Sequence, residues 1–324
     1  MADRYTTGLV ITALAGGVGA ARMLRGLVQV VPPEEITAIV NTGDDAVIHG
    51  LSVSPDLDTV MYTLAGLNDE ERGWGLADES WRVMAALEDL GVQAWFRLGD
   101  RDLATHLLRS GRLAEGQPLS QVTAALCEAL GVRSRLLPMS DDPVATRLTL
   151  ADGGAEVSFQ DYFVRLRHDV PVRSVRFDGA DSARPAPGVI DALDDAEAVV
   201  VCPSNPVVSV GPILSVAGIA STLSRRRDRV VAVSPIVAGA ALKGPADRLL
   251  QELGEQRSVV GIARRYATVA GTLIVDDADR DLAGAVEAEG MACVVAPTVM
   301  RGPAEAAALA SVVLEVARRH PVGP

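Results

Sequence analysis

Carboxylates crowd two neighbouring stretches of this chain. NTGDDAVIHG, residues 41–50, carries Asn41, Asp44, Asp45 and His49, and SPDLDT, residues 54–59, adds Asp56 and Asp58. Paired carboxylates repel each other unless a cation, a proton or an arginine intervenes. Oxygen ligands of this kind suit Mg²⁺, which takes one or two carboxylates and completes its shell with phosphate oxygens and water. Asp45 and Asp58 read as metal or substrate contacts, with Asp44 beside them. Asp56 reads as a helix N-cap. His49 is either a substrate contact or an ordinary loop histidine.

Three further stretches are chemically loaded. AGGVGAAR, residues 15–22, sets Gly16, Gly17 and Gly19 between an apolar run and a helical pattern. Glycines let backbone N–H groups close on a phosphate, and a helix N-terminus adds partial positive charge. No G-K-[ST] follows, and Arg22 stands where a full G-x-G-x-x-G would end, so neither nucleotide fingerprint is complete. The plainer reading is a tight turn that needs small residues. FRLGDRDLATH, residues 96–106, crowds Arg97, Asp100, Arg101, Asp102 and His106. A helix starting near Asp102 puts His106 one turn on, on the same face. Arg97 and Arg101 are candidates for phosphate or substrate contact, with internal salt bridging as the alternative. CPSNPVVSVGP, residues 202–212, displays Ser204 and Asn205 between two prolines. Such a rigid loop suits base or sugar recognition, or is a strand-to-helix turn. PMSDDP offers Asp141 and Asp142 as cleft residues or as an Asx turn, and Lys243, the one lysine of the chain, is either a phosphate contact or, the preferred reading, a surface residue.

The elements that must position these loops are legible in outline. Leu9 to Leu14, ITAIV (36–40), Glu197 to Cys202, Arg229 to Ser234, the start of GTLIVDDAD (271–279) and MACVVAP (291–297) are continuous apolar runs, the pattern of strands covered on both faces. Helical patterns follow from about Ala20 to Val30 and from Glu305 to Arg319. Residues from about 74 to 130 read as mainly helical, and 145–178 as antiparallel hairpins, AEVSFQDYFVRL among them. The expected fold is α/β, a doubly wound, mainly parallel, Rossmann-like sheet with a helical and antiparallel-β insertion. The chain is expected to form one domain, its core from about 1–70 and 190–324 and its cap from about 71–189. Ligands of such a sheet sit outside the carboxyl ends of its strands, where all these loops lie.

Composition narrows the function. Hydrophobic residues make up 48% and charged residues 22% of 324, a globular balance. A net charge of −12 argues against a general polyanion-binding face, so nucleic acid is not an expected partner, although net charge says nothing about one cleft. Cys127, Cys202 and Cys293 stand far apart, as expected of reduced thiols in a cytoplasmic protein. No signal-peptide pattern and no long apolar span points to a membrane. A nicotinamide-dependent dehydrogenase is disfavoured, because Asn41 ends the second strand where a ribose-binding acid should stand.

GGVGAARML, VNTGDDAVIHG, SPDLDTVMYTLAG, RGWGLADES, LGDRDLATHLLRS, LPMSDDPVAT, FQDYFV, PSNPVVSVGPIL and VAVSPIVAG occur in order from residue 16 to 239. Together they closely resemble the CofD family, transferases of coenzyme F(420) biosynthesis. The resemblance implies transfer of a phosphate-linked three-carbon acid to the ribityl hydroxyl of 7,8-didemethyl-8-hydroxy-5-deazariboflavin. It implies a guanosine diphosphate-linked donor carrying lactate or enolpyruvate, release of GMP, a Mg²⁺ requirement and a homodimer. By motif, Gly16, Gly17 and Gly19 would hold the donor nucleotide with the Ser204–Asn205 loop. Asp45 and Asp58, with Asp44, would hold Mg²⁺ or position the deazaflavin, and His49 and Arg97 would lie near the acceptor. Asn41 and Arg101 complete the expected substrate contacts. Direct attack by the ribityl hydroxyl is expected, with Asp58 or Asp45 assisting proton removal. Arginine-rich, lysine-poor usage hints at an actinobacterial source and the enolpyruvyl donor. Asp58→Asn is expected to leave folding intact, as for an exposed cleft carboxylate. The reading from another class is a non-catalytic nucleotide-sugar-binding regulator of related fold.

Overall fold

ITALA (Ile11–Ala15, β1) is buried along its whole length, and its side chains alternate between two cores. Ile11, Ala13 and Ala15 face one and Leu14 the other. The computed structural model describes residues 9–319. Six more strands run parallel to β1: β2 (Ile36–Val40), β3 (Arg135–Pro138), β4 (Ala198–Val201), β5 (Val230–Val233), β6 (Thr272–Val275) and β7 (Ala292–Val295). Their order across the sheet is β7-β6-β5-β4-β1-β2-β3. This is the expected doubly wound sheet, and its order reverses between β1 and β4, where a ligand crevice belongs.

Helix α1 (Gly17–Val30) starts earlier than its apolar pattern suggested, because the glycine turn forms its first turn. It packs on the closing helix Pro303–Arg318. β3 lies inside the stretch assigned from sequence to the cap. It pairs with β2, Thr37 beside Arg135 through Val40 beside Pro138. Only Leu136 and Leu137 carry its apolar signal, and its closing proline is tolerated because the strand is at the sheet edge.

Between β2 and β3 come a hairpin (Ala46–Ile48 with Leu51–Val53), α2 (Pro55–Leu64), α3 (Arg82–Asp89), α4 (Asp102–Ala114) and α5 (Leu119–Ala129). Ile48, Val53, Met84, Leu98 and Leu103 form a small core of their own beneath α3 and α4. A three-stranded antiparallel sheet, Ala145–Leu150 flanked by Glu156–Ser158 and Val172–Asp178, follows β3. AEVSFQDYFVRL is a strand only over Glu156–Ser158; Asp161–Arg165 is a π-helical turn. Ser158 starts that turn by accepting from the Asp161 amide at 3.0 Å, and the helical spacing buries Tyr162.

Candidate functional site

The loops leaving β1, β2, β4, β5 and β7 open onto one cavity of about 880 Å³, completed by α2, α4 and the 95–98 and 159–164 segments. Gly17 and Asp58 line it together. The β1 and β4 loops are pressed together at its base. A Cβ on Gly19 would stand 2.1 Å from the Pro203 carbonyl oxygen, so a side chain there would force the loops apart. Gly17 has φ +71°, which favours glycine, and its N–H is held by Asp56. The Gly16 amide donates to Ser204 Oγ at 3.3 Å, and Asn205 Oδ1 accepts from the Val207 amide at 2.9 Å. Asn41 ties the strand ends behind the cavity: Nδ2 donates to Asp56 Oδ2 at 2.9 Å, and Oδ1 accepts from the Gly43 amide at 2.8 Å.

Asp56 is therefore no helix cap. The α2 N-cap is Ser54, and Asp56, 8% exposed, turns toward the glycine turn and the cavity. Burial pushes its pKa up to about 6, against the pull of the Asn41 amide and the Gly17 N–H. Asp44 also lines the cavity and is pushed well up, first by burial and then by the charge of Asp56. Its Oδ1 is buried without a hydrogen-bond partner.

Asp58 has a different environment. Arg109, 1% exposed, grips both its oxygens, Nη1 donating to Oδ2 at 3.0 Å and Nη2 to Oδ1. Burial opposes the Arg109 charge, but the field and hydrogen bonds of Asp58 outweigh it and raise the guanidinium pKa. The same Nη1 lies 3.2 Å from His106 Nδ1. A guanidinium only donates, so Nδ1 is the acceptor of that contact, and Nε2 on the other side of the ring lies 3.3 Å from Asp102 Oδ1. The Tyr62 hydroxyl donates to that oxygen at 2.6 Å. Burial works against ionised Asp102, but the His106 ring and the Tyr62 hydroxyl hold it below the usual carboxylate range. Asp58, Arg109, His106, Asp102 and Tyr62 thus form one buried polar chain under the cavity.

Aromatic rings make up much of the rest of the lining. Of three tryptophans, four tyrosines and four phenylalanines in the chain, Trp74, Trp95, Tyr62, Phe96, Phe159 and Phe163 line this cavity. Phe159 and Phe163 stack with centroids 5.3 Å apart, and Trp95 meets Phe96 edge-on at 5.8 Å. Arg97 lines the same region with its guanidinium 5.2 Å from the Trp81 ring centre.

Several residues singled out in the sequence stand elsewhere. Asp45 lies outside the lining; its Oδ2 accepts from Ser54 Oγ at 2.6 Å, and burial pushes it well up. His49 is exposed at the tip of the 46–53 hairpin with φ +50°, where the turn fixes it outside the cavity. Arg101 is exposed and donates to the Ala77 carbonyl at 2.6 Å, while its amide donates to Glu79, which caps α4. Asp141 caps α5, accepting from the Ser120 amide at 2.7 Å, and Asp142 accepts from the Arg184 amide at 2.9 Å, so neither is a cleft residue. Lys243, expected at the surface, lines the cavity despite its exposure.

Residues 11–299 match the family described as 2-phospho-L-lactate transferase CofD. The chain belongs to the CofD family. It is accordingly a transferase of coenzyme F(420) biosynthesis, as the ordered motifs implied. It is 47% identical over 314 residues to a phosphoenolpyruvate transferase of Kitasatospora aureofaciens, covering 95% of this chain and 98% of that one. A Thermobifida fusca protein of the same description is 45% identical, with 95% and 97% covered, and one from Mycobacterium sp. strain JLS is 42% identical, with 92% and 95% covered. A crystal structure of a UPF0052-family protein from Bacillus halodurans shares the fold, with a TM-score of 0.61, 17% identity and 94% and 98% covered.

The CofD chain has residues that fit Mg²⁺. Asp44 and Asp56 are buried, mutually repelling oxygen donors facing the cavity, and an oxygen of Asp44 lacks a partner. Among the described residues no three His, Cys, Asp or Glu side chains are grouped to hold a metal by themselves. Two carboxylates completed by substrate phosphate and water are the usual Mg²⁺ arrangement. Asp58 fits less well, because Arg109 already satisfies both its oxygens. Among the described residues no helix is long and apolar enough to cross a membrane.

Proposed function

We propose that the protein transfers a phosphoenolpyruvyl group from a guanosine diphosphate-linked donor to the ribityl hydroxyl of 7,8-didemethyl-8-hydroxy-5-deazariboflavin, releasing GMP with Mg²⁺ as the metal. The observation that carries this reading is the meeting, in one cavity, of a switch-point glycine turn, a buried carboxylate pair and an aromatic wall. The glycine turn and the Ser204 loop receive the donor. The rings of Trp95, Phe96, Phe159 and Phe163 are the natural seat for a flat tricyclic acceptor. The enolpyruvyl choice is supported by the description of the actinobacterial relatives, while the family description supports the phospholactyl donor.

Asp44 and Asp56 would hold Mg²⁺, which when bound offsets charge on the phosphate being transferred. The remaining contributions are positional. The ribityl oxygen forms its bond to phosphorus as the bond to GMP breaks, and the hydroxyl proton is released to water. Asp58, occupied by Arg109, fixes Arg109 and His106 at the cavity edge. Arg97 extends over the acceptor end. A cytoplasmic homodimer belongs to the same reading; Leu107 and Leu108, which α4 turns outward, are surface that such an interface would cover.

Mass spectrometry tests the reaction. Purified protein, Mg²⁺ and the deazariboflavin are incubated with the enolpyruvyl or the lactyl donor, whose products differ by two hydrogens. The enolpyruvyl product is expected. A lactyl product alone would reverse the donor assignment, and no product with either donor would favour the binding regulator.

A further inference from the structure

Many arginines of this protein are held in ion pairs, Arg25, Arg72, Arg109, Arg176, Arg264 and Arg265 among them. Among the described residues, four cations that line the cavity form no ion pair, although the chain carries 42 acidic residues and a net charge of −12: Arg97, which lies against the Trp81 ring, and Arg22, Lys243 and Arg301, which have no such ring partner. Arg22 stands on α1 just past the glycine turn, and its Nη1 reaches the Met300 carbonyl at 3.4 Å, beside Arg301. Lys243 comes from the loop after β5, and its Nζ donates to the Arg72 carbonyl at 3.2 Å. Burial and then the Arg22 charge push the Lys243 amine down. Arg301 follows β7 and acts on Asp276 only through space. Like charges converging on a cavity wall repel unless an anion joins them. The carboxylates of the cavity do not serve, since Asp58 belongs to Arg109, Asp102 is held by Tyr62 and His106, and Asp44 and Asp56 suffer from each other's charge.

We infer that Arg22, Lys243 and Arg301 form an oxyanion subsite for the charged middle of the donor. This rests on the transfer reading for the donor's identity. A diphosphate diester carries two negative charges and its three-carbon acid a third, so three cations match the ligand in charge. The division is then complete: acids on the β2 side for the metal, cations on the β5 and β7 side for the donor's oxygens, rings for the acceptor. Lys243 and Arg301 are exposed residues, so their side chains can be shortened without opening a core.

Calorimetric titration of Lys243→Met, Arg301→Gln and Arg22→Gln, at fixed Mg²⁺, with inorganic pyrophosphate, GDP and phosphoenolpyruvate as separate probes, tests this. Each variant is expected to lose about tenfold or more in affinity for at least one probe. Arg264→Gln, an equal change in net charge at an exposed ion pair, is expected to lose nothing. Loss confined to pyrophosphate and GDP places the cations on the diphosphate, and loss confined to phosphoenolpyruvate places them on the acid; either upholds the subsite. Wild-type affinity for all three probes in all three variants overturns it. Cation-dependent pyrophosphate binding by a wild-type protein that makes no product would leave the subsite standing and overturn the transfer reading instead.

Discussion

Asp58 and Arg109 occupy one buried spot, 5% and 1% exposed, and each is the other's charge partner. Removing one side of such a pair leaves an uncompensated charge in a place water does not reach. The expectation that Asp58→Asn spares the fold therefore does not survive the structure. Asp58→Asn should destabilise by about 3–5 kcal/mol as well as abolish transfer, measured by urea unfolding and product formation. The double variant Asp58→Asn/Arg109→Met should regain much of that stability and none of the activity, because both charges are gone but the cavity edge is no longer held. A single variant within about 1 kcal/mol of wild type would show that Arg109 finds water or another partner when Asp58 is neutral. The pair was half legible. Asp102, His106 and Arg109 recur at helical spacing on α4, a stripe of buried polar side chains, while Leu107 and Leu108 of the same helix are exposed. That inversion of the usual amphipathic pattern is a signal in the sequence, but it reads as a salt-bridged surface until the burial is known.

The elements separate two demands that the glycine motif merges. Gly17 needs a left-handed backbone, and an added Cβ there would meet Asp56 Oδ1 at an ordinary 3.7 Å. Gly17→Ala should cost about 1–2 kcal/mol of stability from backbone strain. At Gly19 the obstruction is the carbonyl of Pro203, which belongs to another element, so β1 and β4 must part at the switch point. Gly19→Ala should cost about 1–3 kcal/mol and also weaken nucleotide binding, followed by thermal unfolding and GDP titration. Unchanged GDP affinity in Gly19→Ala would detach the loop contact from the binding site. At this scale the strands with long apolar runs were visible in the sequence. β3 was not, because two leucines between an arginine and a proline carry too little pattern. The aromatic wall was invisible for a different cause: Trp74, Trp95, Phe96, Phe159 and Phe163 come from separate segments, and no spacing announces that the chain brings them to one surface.

For the whole molecule the balance of charge decides how stability responds to pH and to the metal. The protein is strongly acidic, and its cavity is lined both by four carboxylates, Asp44, Asp56, Asp58 and Asp102, and by the cations Arg22, Arg97, Lys243 and Arg301. Asp56 in the folded state stands near 6, above the ordinary unfolded value of about 3.9. Between those two values the folded protein binds more protons than the unfolded chain, so its stability falls as pH rises through that window. Asp44, raised in the same direction, adds to the loss. A shift of about two units corresponds to about 3 kcal/mol for Asp56 when the loss is complete. The metal-free protein should therefore melt at a lower temperature at pH 7.5 than at pH 5. Mg²⁺ should reverse most of that difference, because a divalent cation takes over the charge that protons no longer offset. Asp56→Asn should flatten the pH dependence and lose much of the response to Mg²⁺, whereas Asp58→Asn should keep the response, its carboxylate being already neutralised by Arg109. Differential scanning calorimetry with EDTA or Mg²⁺ at the two pH values measures all four quantities. A melting temperature that rises from pH 5 to 7.5 without metal, together with no effect of Mg²⁺ at pH 7.5, would move the metal away from the Asp44–Asp56 pair and leave the acidic wall without its cation.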